Sequence, residues 1–222
     1  MDKKRAAAEK ALEFVRDEMI VGLGTGSTTN FAIEGLGRLV KAGLRIQGVP
    51  TSVATEQLAR KVGIPLVSLE EVDMIDITID GADEVDPSLN LIKGMGGALL
   101  REKVVAFHSA EEVIIIDDSK LVKKLGTRFP LPVEVARFGH SKTRKAVEGL
   151  GCSAELKGGD RPFITDNGNF IYECRFDGID DPELLEAELH LIPGVVESGL
   201  FIELATKVIV ASDERVEVHT KR

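Results

Sequence analysis

Apolar residues recur near the start of the chain at Ala8, Leu12, Val15 and Met19, with charged residues between them. Those spacings follow the 3.6-residue period of an amphipathic helix. The pattern then changes to an apolar run, Met19 to Leu23, which reads as a strand, and to a loop of glycine and hydroxyl residues, Gly24 to Thr28. Ile33, Leu36, Leu39 and Val40 restore the helical period, and Ile46 to Val49 reads as a second strand. A helix through Thr55-Glu56-Gln57-Leu58-Ala59 ends near Gly63, and Pro65 to Val67 and Met74 to Ile79 read as short strands. Leu99 to Phe107 is helical and Val113 to Ile116 is a buried strand. Apolar strands alternating with helices predict an α/β fold: a Rossmann-like, mostly parallel sheet with helices on both faces.

The rhythm changes after Phe129-Pro130-Leu131-Pro132. A strand (Val133 to Ala136), a helix (Ser141 to Leu150) and a strand (Cys152 to Leu156) precede Asp166-Asn167-Gly168-Asn169, where Asn-Gly predicts a tight hairpin turn. A strand (Phe170 to Phe176), a helix opened by Asp181-Pro182 and carrying Leu184, Leu185, Leu189 and Leu191, and a strand at Val195-Val196 follow. That β-α-β-β-α-β order is the ferredoxin-like split motif. The expected division is therefore a Rossmann-like domain over 1–128 plus 199–222 and a smaller ferredoxin-like α+β domain over 129–198. The tail, Leu200 to Leu204 and Lys207 to Ala211, is strand-like and is expected to return to the first domain.

Composition narrows the function classes. Of 222 residues, 43% are hydrophobic and 29% charged, an ordinary globular balance. Lys plus Arg number 28 against 37 Asp plus Glu, a net charge of −9, which opposes general binding to a nucleic-acid backbone. A small phosphate remains possible where backbone N–H groups or a local cation receive it. No apolar run is long enough to span a bilayer, so no membrane role is expected. The opening Met1-Asp2-Lys3-Lys4-Arg5 leads into a mixed-charge stretch with no apolar core, so no secretory signal is expected either. Two cysteines, Cys152 and Cys174, make no disulfide framework, which fits a cytoplasmic chain.

Four segments could carry chemistry. In Gly22-Leu23-Gly24-Thr25-Gly26-Ser27-Thr28-Thr29 the glycines permit close backbone approach and the following helix offers unpaired N–H groups to an anion. Ser27 stands where a dinucleotide fingerprint needs glycine, and no P-loop lysine follows. The segment suits a monophosphate, or else is merely a tight turn into a capped helix. Asp80-Gly81-Ala82-Asp83-Glu84-Val85-Asp86 lies where an apolar strand ends, and its spacing fails the EF-hand pattern. It is either a solvated turn or part of a site at a strand's carboxyl end. Lys93-Gly94-Met95-Gly96-Gly97-Ala98 puts a cation and mobile backbone before a helix bearing Glu102, which is a candidate base or a solvent-facing residue between Arg101 and Lys103. The weakest is Asp117-Asp118-Ser119-Lys120, again after a strand. A parallel sheet would gather such strand-to-helix transitions on one edge. The four histidines form no HxH or HExxH pair, so no zinc site is expected.

These stretches, with Phe129-Pro130-Leu131-Pro132-Val133-Glu134-Val135, Thr165-Asp166-Asn167-Gly168-Asn169 and Ile192-Pro193-Gly194-Val195-Val196, resemble type A ribose-5-phosphate isomerases over essentially the whole length. Met95 departs from the glycine often found there in that family. The resemblance implies interconversion of D-ribose 5-phosphate and D-ribulose 5-phosphate with no redox cofactor and no required metal. It implies Glu102 as the general acid/base and substrate contacts from Thr25, Gly26, Ser27, Thr28, Asp80, Gly81, Ala82, Asp83, Lys93, Gly94, Met95, Gly96 and Lys120. Lys93 would meet the developing oxyanion, and Asp80 or Asp83 would move hydroxyl protons during ring opening. A homodimer or homotetramer is implied as well. The competing expectations are a non-catalytic sugar-phosphate sensor, a related coenzyme A transferase or amino-sugar-phosphate isomerase, and a structural protein.

Overall fold

A strand that ends in a helix can be followed only by a parallel neighbour once that helix has carried the chain back, and this rule builds the first half of the molecule. The computed structural model describes residues 2–221. Its elements run α1 (Lys3–Leu12), β1 (Ile20–Leu23), α2 (Ser27–Lys41), β2 (Gln47–Pro50), α3 (Val53–Val62), β3 (Ile77–Asp80), β4 (Glu84–Val85), β5 (Leu91–Ile92), α4 (Leu99–Phe107) and β6 (Glu112–Asp117). Then come β7 (Leu131–Val135), α5 (His140–Glu148), β8 (Ser153–Leu156), β9 (Phe170–Arg175), α6 (Pro182–His190), β10 (Val195–Ser198), β11 (Leu200–Phe201), β12 (Lys207–Ala211) and β13 (Val216–Thr220). Two units result: one takes the chain through Ala82, Arg101–Lys120 and the residues from Glu203 onward, the other Asp83–Leu100 and Leu121–Ile202. The segments 83–100, 121–128 and 199–202, assigned to the first domain by pattern alone, thus fall in the second unit.

The first unit holds a six-stranded sheet in the order β13-β12-β6-β3-β1-β2, parallel except for the β12–β13 pair. Alternate side chains sort onto its two faces. Val21, Leu23, Ile77, Ile79, Val113 and Ile115 bury against Ala7, Ala8 and Ala11 of α1, Ile33 and Leu36 of α2, and Ala59 of α3. Each large aliphatic side chain so buried contributes about 1.5–3 kcal/mol. Small residues let the helices close up: a Cβ at Gly35 would stand 2.4 Å from Leu12 Cδ1. On the opposite face Val105 of α4 meets Val49 and Ile75. Helices therefore cover both faces, as the pattern predicts.

Three details differ from the pattern. α1 ends at Leu12, short of Val15 and Met19, because the chain turns there to be tied to the approach of β2: the Glu18 amide donates to Arg45 O (2.6 Å) and the Arg45 amide to Asp17 Oδ1 (2.8 Å). Pro65 to Val67 makes only a single bridge, Leu66 against Gly48, since proline has no N–H to extend a ladder. Leu200–Phe201 pairs with Leu91–Ile92 in the second unit rather than joining the first.

In the second unit β10-β7-β9-β8 form an antiparallel sheet whose order and intervening helices are those of the split β-α-β-β-α-β motif. The Asn-Gly turn is present, with Gly168 at φ 81° and its amide donating to Thr165 O (2.9 Å). It closes a turn within the longer 157–169 connection rather than joining β8 directly to β9. A three-stranded sheet, β11-β5-β4, contributes Ile92 and Leu200 to the same core as Leu131, Val133, Tyr172 and Leu189.

Candidate active site

Because β1, β2, β3 and β6 are parallel, their carboxyl ends share one edge of the six-stranded sheet. The strand following β1 in sequence lies on one side of it and β3 on the other, so the strand order reverses at β1/β3, where open α/β sheets form their crevice. The Gly24–Thr28 loop follows β1, Thr51-Ser52 follows β2, Asp80-Gly81 closes β3, and Asp117–Lys120 closes β6.

Asp80 is fully buried, and its Oδ1 accepts the amides of Gly81 (2.7 Å) and Thr25 (3.2 Å). That approach requires glycine at position 24, where a Cβ would stand 2.1 Å from Asp80 Oδ1. Ile77 and Ile79 face α1–α3, so Thr78 and Asp80 face the other way, toward α4. Thr78 Oγ1 confirms the direction by lying 2.7 Å from Ser109 Oγ, just after α4. The end of α4 sits at the amino end of the strands, where the Ile75 amide donates to His108 O (2.9 Å). Its first turn therefore lies toward the carboxyl edge. Glu102, one turn before Val105 on the sheet-facing side, is 4% exposed. Asp80 and Glu102 thus occupy the same face and the same end of the sheet. Neither is a solvated acid.

At the start of α2 the N-cap is Gly26, with φ 135°, and no side chain caps the helix. The capped-helix expectation for this loop does not hold. Instead Lys4 Nζ, on α1, lies 2.9 Å from Ser27 Oγ. Pattern reading missed Lys4, because only the fold shows which face of α1 meets the loop. Around it the charges alternate. Lys3 pairs with Asp118 and Asp213 (3.0 Å each), whose hydrogen bonds hold its ammonium above the ordinary value. Burial pushes the Asp117 carboxyl up, but the Ser119 hydroxyl and amide, with the charges of Lys120 and Lys4, outweigh it and leave Asp117 below its ordinary value. The Thr25 hydroxyl turns inward, 2.8 Å from Thr51 Oγ1 and from Ser52 Oγ and 3.0 Å from Thr55 Oγ1. Thr51, Ser52 and Thr55 were also missed; in sequence they resemble ordinary helix-cap chemistry.

The remaining candidates lie in the second unit. The Asp83 amide donates to Ile92 O (2.8 Å), and its Oδ2 accepts the Met95 amide (3.0 Å). Lys93 is 2% exposed, with Nζ 5.2 Å from the centre of the Phe201 ring, a cation–π distance. Gly94 and Gly97 take φ of 103° and 86°, and the Gly97 amide donates back to Gly94 O (2.9 Å). Met95 is accommodated at a position of ordinary φ between them. Glu84 is fully buried and accepts the amides of Gly126 (2.6 Å), Arg128 (2.6 Å) and Phe129 (2.7 Å). The acidic run is therefore built into the fold rather than being a solvated turn. Among the described residues no helix is long and apolar enough to cross a membrane.

The family model of ribose 5-phosphate isomerase A (phosphoriboisomerase A) matches residues 47–215. The ribose-5-phosphate isomerase A of Bacillus mycoides is 52% identical over 219 residues, covering 98% of this chain and 99% of that protein. Ribose 5-phosphate isomerase A of Methanocaldococcus jannaschii superimposes with a TM-score of 0.94 at 43% identity, covering 99% of each chain. A D-ribose-5-phosphate isomerase solved in complex with phospho-erythronic acid superimposes with a TM-score of 0.95 at 44% identity, covering 99% of this chain and 98% of that one.

Proposed function

Since the chain belongs to the ribose 5-phosphate isomerase A family, we propose that it interconverts D-ribose 5-phosphate and D-ribulose 5-phosphate with Glu102 as the proton carrier. The observation that carries this reading is the pair of buried carboxylates, Asp80 and Glu102, on one face and at one end of a parallel sheet. A phosphorylated sugar acid, as bound by one relative, presents a phosphate and a planar anionic carboxylate, the two features a sugar-phosphate enediolate also presents.

Glu102 takes the C2 hydrogen of the open-chain aldose as a proton, and the electron pair left behind forms the C1–C2 double bond of an enediolate. Returning the proton to C1, with the hydroxyl proton moved from O2 to O1, gives the ketose. A positioned base contributes roughly 10²–10⁴-fold to such a step. The Lys93 ammonium and the Gly94, Met95 and Gly96 amides answer the charge that builds on the oxygens. Asp80 and Asp83 move hydroxyl protons during ring opening, with Gly81 and Ala82 as backbone contacts and Lys120 as a further cation. The phosphate is received by Ser27, Thr28, the amides that open α2 beyond Gly26, and Lys4. Its binding energy holds the reacting carbons in place. A sugar-phosphate sensor would need the phosphate loop alone, and a buried Glu102 would serve no purpose in it.

Purified protein given ribose 5-phosphate without added cofactor should form ribulose 5-phosphate at the same rate with and without chelator. In deuterated water the ketose should gain deuterium at C1. No ketose, or ketose formed only with an added nicotinamide cofactor, contradicts the reading. We further propose that the chain works as a cytoplasmic homodimer or homotetramer in the non-oxidative branch of the pentose phosphate pathway; light scattering that returns a monomer mass at working concentration contradicts the assembly.

A further inference from the structure

We propose that Thr51, Ser52 and Thr55 are positioning residues that lock the backbone of the β1–α2 loop, and that the Thr25 hydroxyl is part of this lock rather than a donor to the ligand. The inference rests on reading that loop as the phosphate site.

Two successive peptide units are fixed at both ends. In the Leu23–Gly24 unit the carbonyl accepts the Thr51 amide (3.0 Å) and Thr51 Oγ1 (2.9 Å), while the Gly24 amide donates to Ile79 O (3.0 Å). In the Gly24–Thr25 unit the carbonyl accepts Thr55 Oγ1 (2.8 Å), while the Thr25 amide donates to Asp80 Oδ1 (3.2 Å). Hydroxyls after β2 thus hold one side of the loop, and the end of β3 holds the other. A peptide plane held at both its N–H and its C=O cannot flip, so the direction in which the chain enters α2 is set before any ligand arrives.

Donor accounting assigns Thr25 to the same device. Thr51, Ser52 and Thr55 are 0%, 6% and 2% exposed. A hydroxyl has one proton to give. Thr51 and Thr55 give theirs to the carbonyls of Leu23 and Gly24, and Ser52 Oγ accepts the Thr55 amide (3.0 Å) and donates to Thr55 Oγ1 (3.1 Å). Thr25 donates to Ser52 Oγ at 2.8 Å. All four protons are consumed within the cluster, and the Thr25 amide is consumed by Asp80. Residue 25 has no donor left for a phosphate, which leaves that role to the residues after it. The lock also explains why α2 opens without a side-chain cap: a Ser or Thr side chain folded over the first amides would close the position the phosphate takes.

The test is Thr55→Val, which keeps the shape and removes the hydroxyl, beside Thr55→Ser, which keeps the hydroxyl. Affinity for inorganic phosphate is read by titration calorimetry, and KM and kcat are read on ribose 5-phosphate. Losing one buried hydrogen bond of this kind is expected to weaken phosphate binding and raise KM about five- to tenfold. Turnover should stay within about threefold, and Thr55→Ser should restore both values. Unchanged phosphate affinity in folded Thr55→Val, or a loss confined to kcat, overturns the proposal. If Thr55→Val does not fold, Ser52→Ala is read in the same way and decides. Absence of isomerase activity in the unaltered protein would defeat the catalytic reading instead, while the phosphate titration would still judge the lock.

Discussion

The molecule has two glycine-rich loops that look alike in sequence and are built on different physics. In Gly22–Thr28 two glycines of ordinary φ are needed for space, since a Cβ at Gly22 would stand 1.8 Å from Thr78 Oγ1 and one at Gly24 2.1 Å from Asp80 Oδ1, while Gly26 takes φ 135° in open space. Hydrogen bonds to neighbouring strand ends then hold its backbone still. In Lys93–Gly97 two glycines are needed for conformation as well as space: Gly94 and Gly97 take φ of 103° and 86°, and a Cβ at each would stand 2.7 Å from Leu99 Cβ and 2.4 Å from Phe163 Cε1, respectively. The cation that opens the loop is buried over an aromatic ring. A phosphate is fully charged before, during and after reaction, so a fixed ring of donors suits it. On the proposed function the second loop meets an enediolate, which is charged only in passing and is served by a cation held where that charge appears. Glycine count alone does not tell these designs apart; the φ taken at each crowded glycine does.

That contrast breaks if the wrong kinetic constant moves. Lys93→Ala should lower kcat about 10²–10³-fold with KM changed only a few-fold. A change confined to KM would make Lys93 an ordinary binding contact and the two loops alike. Next in size, Gly24→Ala should cost at least about 1–3 kcal/mol of stability by forcing a Cβ into Asp80. Gly96→Ala, whose Cβ would meet nothing within 4 Å, should stay within about 0.5 kcal/mol. Thermal melts of the pair measure this, and equal shifts would remove the space requirement at Gly24. Lys4→Met should raise KM about tenfold, leave kcat in place and flatten the salt dependence of KM, as expected for a screened charge contact.

The smallest effect concerns pH. Asp117 is held below its ordinary value, so its contribution to stability is complete above about pH 4 and is lost as pH falls through the depressed folded value. Its partial exposure keeps that contribution to at most about 1 kcal/mol. Asp117→Asn should therefore lower the denaturation midpoint slightly at pH 7 and not at all near pH 2. An equal loss at both would mean packing rather than charge.

How much of this could be read in the chain follows from what each feature depends on. α4 matches its predicted span, Leu99–Phe107, because its apolar spacing and the glycines before it are local signals. Glu102 was legible as a candidate, yet its burial was not, since the same sequence allows a solvent-facing turn between Arg101 and Lys103. The two-residue strands β4, β5 and β11 are too short to carry a period. In β13 only Val216 and Val218 alternate with polar residues on a largely exposed edge, which gives little apolar signal. The helical spacing continues through Val15 and Met19 although the helix does not, because Asp17 and Glu18 are held by Arg45, 28 positions from Asp17. Lys4 and the Thr25–Thr51–Ser52–Thr55 cluster are long-range in the same way: each residue is unremarkable alone, and their roles exist only once separate strand ends share an edge.

The central claim is that one buried carboxylate carries the proton, and Glu102→Gln tests it most directly. Steady-state kinetics on ribose 5-phosphate, with substrate binding measured by calorimetry on the same preparation, should show a folded variant that still binds. Its turnover should fall by at least about 100-fold, the lower bound for losing a positioned base. Turnover within a few-fold of the unaltered protein would contradict the account, because the proton would then be moving through some other group.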